Sequence, residues 1–164
     1  MSSVLLIIGP PGGGKSTALR WLSSMLQAER VPHSVLETES FGQGWPLLRT
    51  SEWVDQLRSV VSLQMEAGRD LFLLTATAEA QADLDLIVDC LSEPVVVCLT
   101  PSAEVAAQRV ADREPDSWPG RQRLVALARV LATAAPTFAG VDLVIRTDER
   151  PPDAVASNLR ALLR

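Results

Sequence analysis

Nine consecutive residues, Gly9-Pro10-Pro11-Gly12-Gly13-Gly14-Lys15-Ser16-Thr17, satisfy the pattern G-x-x-x-x-G-K-[ST] at every required position. Glycines let a backbone enter left-handed conformations and bring its N–H groups onto phosphate oxygens, and a helix starting at this point directs its positive end at the same anion. Lys15 is placed to reach β- and γ-phosphates, and the Ser16 hydroxyl to ligate Mg²⁺. Of the 15 basic residues, Lys15 is the single lysine and all the others are arginine. The pattern marks Gly9 to Thr17 as a nucleotide-phosphate site, with Mg²⁺ as the expected metal.

Other residues could act on a phosphate held there. In Leu36-Glu37-Thr38-Glu39 the two carboxylates are spaced i, i+2, which in an extended segment projects both to one side. Arg109 and Arg113 stand one helical turn apart, just before the Gly- and Pro-bearing stretch Glu114 to Gly120. Guanidinium groups there, with that of Arg121 beyond the stretch, are cations suited to pairing with phosphate oxygens. Trp45 and Trp53, with Arg49 and Arg58 in the same region, offer an aromatic wall and a cation to a ring-bearing or anionic acceptor. Trp21, beside Leu22, Met25 and Leu26, reads as packing, His33 as a surface residue, and Cys90 and Cys98 as buried structural thiols in apolar runs.

These residues need elements to position them. Short apolar, β-branched runs at Val4–Ile8, Ser34–Leu36, Leu71–Leu74, Val95–Leu99 and Val141–Ile145 predict five strands. Three- and four-residue apolar spacing predicts helices over Ser16–Glu29, Ser51–Ala67, Glu79–Leu91, Ala103–Arg113, Arg121–Ala135 and Pro152–Leu163. Strands apolar on both faces, alternating with helices, are the pattern of βαβ units and a covered parallel sheet, hence α/β. Residues 1–164 read as one domain. The irregular stretches Ser40 to Thr50 and Glu114 to Gly120 are the candidate functional loops.

Taken in this order, the motifs resemble the small P-loop kinases, a group that includes adenylate, shikimate and gluconate kinases and chloramphenicol phosphotransferase. The resemblance covers most of the chain and implies a three-layer αβα P-loop NTPase fold with five parallel strands in the order 2-3-1-4-5 and a short lid at about 114–120. It implies that Glu37 acts through Mg²⁺ and its water and that Glu39 contacts the acceptor hydroxyl as base or orienting group. By the same match, Arg109 stacks on adenine and Arg113 points at the phosphates. Val141-Asp142-Leu143-Val144-Ile145-Arg146-Thr147-Asp148 matches a strand whose following loop lies against the adenine, so Arg146 to Asp148 become adenine-edge candidates. Trp45, Arg49 and Trp53 fall where these kinases bind the acceptor. One departure stands out, since the third strand ends in Leu73-Leu74-Thr75-Ala76-Thr77, where P-loop proteins present a carboxylate, while Asp70 precedes the strand.

Several function classes are set aside. A net charge of −5 leaves no uniformly basic face for a nucleic-acid backbone. The apolar runs are too short for a membrane span or a secretory leader, which sets the expectation of a cytoplasmic protein. A GTPase would need N-K-x-D, and the single Asn is Asn158. Length argues against ABC and AAA-type ATPases. An ATP-dependent small-molecule kinase fits best, with a nucleotide-binding module that has lost transfer as the alternative. The acceptor and the oligomeric state stay open.

Overall fold

The computed structural model of the protein describes residues 3–163. Its strands are β1 (Ser3–Ile8), β2 (His33–Glu37), β3 (Leu71–Ala76), β4 (Val95–Thr100) and β5 (Leu143–Arg146). All pair in parallel in the order β2-β3-β1-β4-β5. The helices are α1 (Lys15–Ala28), α2 (Glu39–Gly42), α3 (Thr50–Glu66), α4 (Gln81–Asp89), α5 (Ala103–Arg113), α6 (Arg121–Ala134) and α7 (Pro152–Leu162).

β1 explains the layering. Its side chains alternate between two cores: Leu6 and Ile8 pack with Trp53, Val54 and Leu57 of α3 and Leu84 and Ile87 of α4. Leu5 and Ile7 pack with Leu19, Leu22 and Leu26 of α1 and Val155 and Leu159 of α7. A strand buried on both faces must be apolar at every position, and these four β1 residues are fully buried, each contributing about 1.5–3 kcal/mol. Helices α5 and α6 close on a separate small cluster of Ala106, Val110, Ala128 and Ala132, where small side chains permit close approach.

The strand order changes direction at β1, with β2 and β3 on one side and β4 and β5 on the other. Such a switch opens a crevice beyond the carboxyl ends of the strands. Register brings Glu37 beside Thr75 at that edge, and Ile8 beside Ala76 and Cys98.

The five strands and six long helices follow the sequence pattern, and local chemistry alters their ends. β5 begins at Leu143, and Asp142 just before it bonds β4 twice, its backbone N–H donating to the Val96 carbonyl at 2.9 Å and its Oδ2 accepting from the Val96 N–H at 2.8 Å. The turn of α2 replaces part of an expected irregular stretch. Trp21 does not pack: it is 47% exposed on α1. His33 is half-buried, with Nε2 at 2.8 Å from Ser23 Oγ and Nδ1 at 2.8 Å from the Val31 carbonyl, so it fastens α1 to β2. Cys98 is buried and burial pushes its thiol up to about 11, whereas Cys90 is half-buried.

Candidate functional site

The loop between β1 and α1 is built on tight backbone. Gly12 has φ 77°, and a Cβ there would lie 2.5 Å from the Ala106 carbonyl oxygen of α5, so only glycine lets the loop pass. Gly14, at φ 90°, caps α1. Lys15 is buried, and its Nζ donates to the carbonyls of Gly9 at 3.0 Å and Pro10 at 3.1 Å. Burial pushes its pKa below the usual lysine value, opposed chiefly by the Glu39 carboxylate, whose Oε1 lies 3.8 Å away. Ser16 Oγ donates to Glu37 Oε2 at 3.0 Å.

Both acidic residues reach the loop, though not as an extended pair. β2 ends at Glu37, Thr38 turns into helical conformation, and Glu39 opens α2. Its carboxylate accepts from Thr77 Oγ1 at 2.9 Å and from Thr75 Oγ1 at 3.5 Å. The strand end that carries no acid of its own thus holds one borrowed from α2. Asp70 lies at the opposite end of β3, its carbonyl accepting from Ser3.

Above the loop, Arg109 ties two elements together. Its Nη1 donates to the Gly12 carbonyl at 3.2 Å and its Nη2 to the Thr147 carbonyl at 2.9 Å. Thr147 Oγ1 donates to the Gly13 carbonyl at 3.2 Å. A cavity of about 290 Å³ opens here, lined by Gly14, Thr17, Arg109, Thr147 and Arg150 among others. Arg146 lines neither this cavity nor the larger cleft; strand alternation turns it away from Ile145 and Thr147. Asp148 is occupied at a helix start, accepting from Ser102 N–H at 2.7 Å, which holds its carboxyl below the usual range. Arg121 serves structure as well: it donates to the carbonyls of Ala111 at 2.8 Å and Glu114 at 3.1 Å and pairs with Asp116 at 3.1 Å, fixing the base of residues 114–120.

A cleft of about 1040 Å³ runs along the loop and brings together Lys15, Ser16, Glu37, Glu39, Arg109 and Arg113. Arg113 Nε bonds Glu114 Oε1 at 2.7 Å within it. The acceptor-side residues divide. Trp53 is a core residue, 7% exposed and stacked on Phe41 at 5.8 Å, with an edge lining the cleft. Arg49 lines the cleft, but its Nε and backbone N–H both bond Glu52 at the start of α3. Trp45 is 95% exposed and does not line it, and Arg58 pairs with Asp55 on the surface.

The donors suit Mg²⁺: Ser16 Oγ and a Glu37 carboxylate oxygen are hard oxygen ligands on one spot, the small protein share that this ion takes beside water and phosphate. Among the described residues no group of three or more His, Cys, Asp or Glu could hold a metal by itself.

A family model described as an AAA domain matches residues 4–137, most of the chain. The chain belongs to this family. The match overturns the argument from length against an AAA-type domain. No curated protein matches the chain. Among solved structures, this AAA domain is similar to a sugar kinase from a Janibacter species, at 20% identity and TM-score 0.67, covering 99% of this chain and 95% of that one. It is similar to shikimate kinase from Acinetobacter baumannii in complex with shikimate, at 19% identity and TM-score 0.60, covering 99% and 93%. The tunicamycin resistance protein of Deinococcus radiodurans stands at 17% identity and TM-score 0.67, covering 99% and 96%. These likenesses establish the P-loop fold of small kinases.

The AAA domain also carries site residues that the motifs did not single out. Thr77, Arg150, Trp118 and Arg123 all line one of the two cavities. Of these only Trp118 had a signal, as the aromatic residue of an irregular loop.

Proposed function

We propose that the protein is an ATP-dependent small-molecule kinase that transfers the γ-phosphoryl group to a hydroxyl or phosphate of a small acceptor. The observation that carries this reading is the convergence on one cleft of a phosphate loop, its buried lysine, two carboxylates and an arginine. The likeness in fold to a sugar kinase and to shikimate kinase supports it.

In this mechanism the backbone N–H groups of Gly12, Gly14, Lys15 and Ser16 bind the β- and γ-phosphates, Gly13 donating instead to the Pro10 carbonyl, and Lys15 neutralises the charge between them. Ser16 and Glu37 would hold Mg²⁺, which would offset charge on the phosphate oxygens. Arg109, with Thr147 and Arg150, forms the base end of the nucleotide site. Glu39 accepts the proton of the acceptor hydroxyl as that oxygen bonds to the γ-phosphorus and the bond to the β-phosphate oxygen breaks. Arg113 stabilises the transferring group, and residues 114–120 act as a lid that keeps water from competing. The proposal places the protein in the cytoplasm, with no nucleic-acid or membrane partner; among the described residues no helix is long and apolar enough to cross a membrane.

The competing reading, a nucleotide-binding module without transfer, drew on the missing carboxylate at Thr75. Glu39, bonded to Thr75 and Thr77, stands at that strand end, which favours the kinase. Phosphorus NMR of the protein with ATP·Mg and pooled hydroxylated acceptors, run beside Glu39→Ala, tests the choice. A new phosphoester signal lost in the variant supports the kinase; intact ATP with line broadening supports the binding module.

A further inference from the structure

The loop Glu114 to Gly120 carries an indole whose placement the kinase mechanism does not use. Trp118 is 43% exposed and lines the large cleft but not the smaller cavity beside Arg109 and Thr147. Its seat is cut for it: a Cβ on Gly120 would lie 2.5 Å from Trp118 Cζ2 and 2.7 Å from Cη2. Gly120 has φ −80°, ordinary helical backbone that any residue adopts, so what the glycine supplies is room for the ring. The loop bearing it is fixed at its base by Arg121 through the Ala111 and Glu114 carbonyls. A ring held this way needs little further ordering to bind a ligand.

The cleft offers further apolar side chains beside its charged ones, Arg49, Glu79, Asp83 and Arg123 among them. Leu124 and Leu127 line it from α6, and Leu47, 69% exposed, Leu48 and Trp53 line it from the segment around α2 and α3. The carboxylates and Lys15 stand at the phosphate loop end. A fully hydrophilic acceptor would gain nothing from these surfaces, whereas an apolar ring face would be desolvated against them.

We propose that Trp118 is the stacking platform for the acceptor, and that the acceptor is a hydroxyl-bearing molecule with an aromatic or otherwise apolar ring. The inference rests on the kinase reading for the meaning of the cleft, but its test requires no turnover. Protein labelled with 5-fluorotryptophan gives one fluorine resonance per tryptophan, and that of Trp118 is assigned with Trp118→Phe. The protein is saturated with ADP·Mg and titrated with phenyl β-D-glucopyranoside and methyl β-D-glucopyranoside, which share their hydroxyls and differ in the ring. The expected result is a shift of the Trp118 resonance by the phenyl glycoside, with a dissociation constant about tenfold below that of the methyl glycoside. Gly120→Ala, which displaces the indole and keeps it, brings the ratio below threefold while ADP affinity stays within twofold of wild type. Equal affinities, an unmoved Trp118 resonance with both probes, or a ratio unaltered in Gly120→Ala overturns the proposal. None of these outcomes touches the kinase reading, which fails separately if ATP yields no phosphoester product.

Discussion

Burial pushes the Lys15 ammonium towards its neutral form, and the Glu39 carboxylate is the largest influence that opposes this. A lysine whose folded pKa lies below 10.5 costs stability while it is charged in the fold; the cost is full below the folded value and is relieved as pH rises through it towards 10.5. Lys15→Met is therefore expected to raise the melting temperature at pH 7 by about 2–4 °C while ATP binding is lost, as thermal melts with and without ATP would show. An unchanged melt would mean that the bonds to Gly9 and Pro10 offset the burial cost, and a lowered one that they outweigh it. Thr77 is a positioning residue of the proposed mechanism, acting through Glu39. Removing its hydroxyl as Thr77→Val is expected to lower turnover about tenfold with ATP affinity within twofold, and Thr77→Ser to restore it. Equal turnover in Thr77→Val and wild type would show that Lys15 and Thr75 suffice to place Glu39. The phosphate loop was legible because its chemistry is contiguous in sequence. Thr77 was not, because a hydroxyl acquires meaning from its partner, and that partner lies 38 residues away.

At the scale of elements, legibility followed length and period. Long helices and doubly buried strands declared themselves by apolar spacing, but α2 has four residues and no period to read, and its position decides how Glu39 enters the site. Both carboxylates reach the loop, as their i, i+2 spacing suggests, but a helical turn and not a continued strand delivers the second. Arg121 is a similar case. Its spacing after the 114–120 loop reads as a phosphate ligand, whereas its hydrogen bonds show a clamp on the loop base. Those bonds restrain local opening of a segment with few buried contacts. Arg121→Ala is expected to speed hydrogen exchange of the amides in 114–120 about tenfold and to leave β1 and β3 unchanged, measured by exchange mass spectrometry. Uniform acceleration across the chain would instead assign Arg121 to global stability.

The whole molecule hangs on one junction. β1 and α1 meet in the phosphate loop, Arg109 of α5 reaches across to Gly12 and to the Thr147 carbonyl after β5, and Glu37 and Glu39 bring in the other edge of the sheet. A nucleotide bound there contacts elements from both halves of the strand order, so its binding energy appears as stability of the entire fold and not of one loop. A ligand at about 100 times its dissociation constant adds roughly 2.7 kcal/mol. For a chain of this length that corresponds to a rise in melting temperature of about 5–11 °C. The protein with ADP or ATP and Mg²⁺ is expected to show this shift by scanning fluorimetry. Lys15→Ala should abolish it, and Trp118→Ala, altered at the other end of the cleft, should retain it in full. A shift lost equally in both variants would place the nucleotide across the whole cleft and remove the separation of the base and acceptor ends.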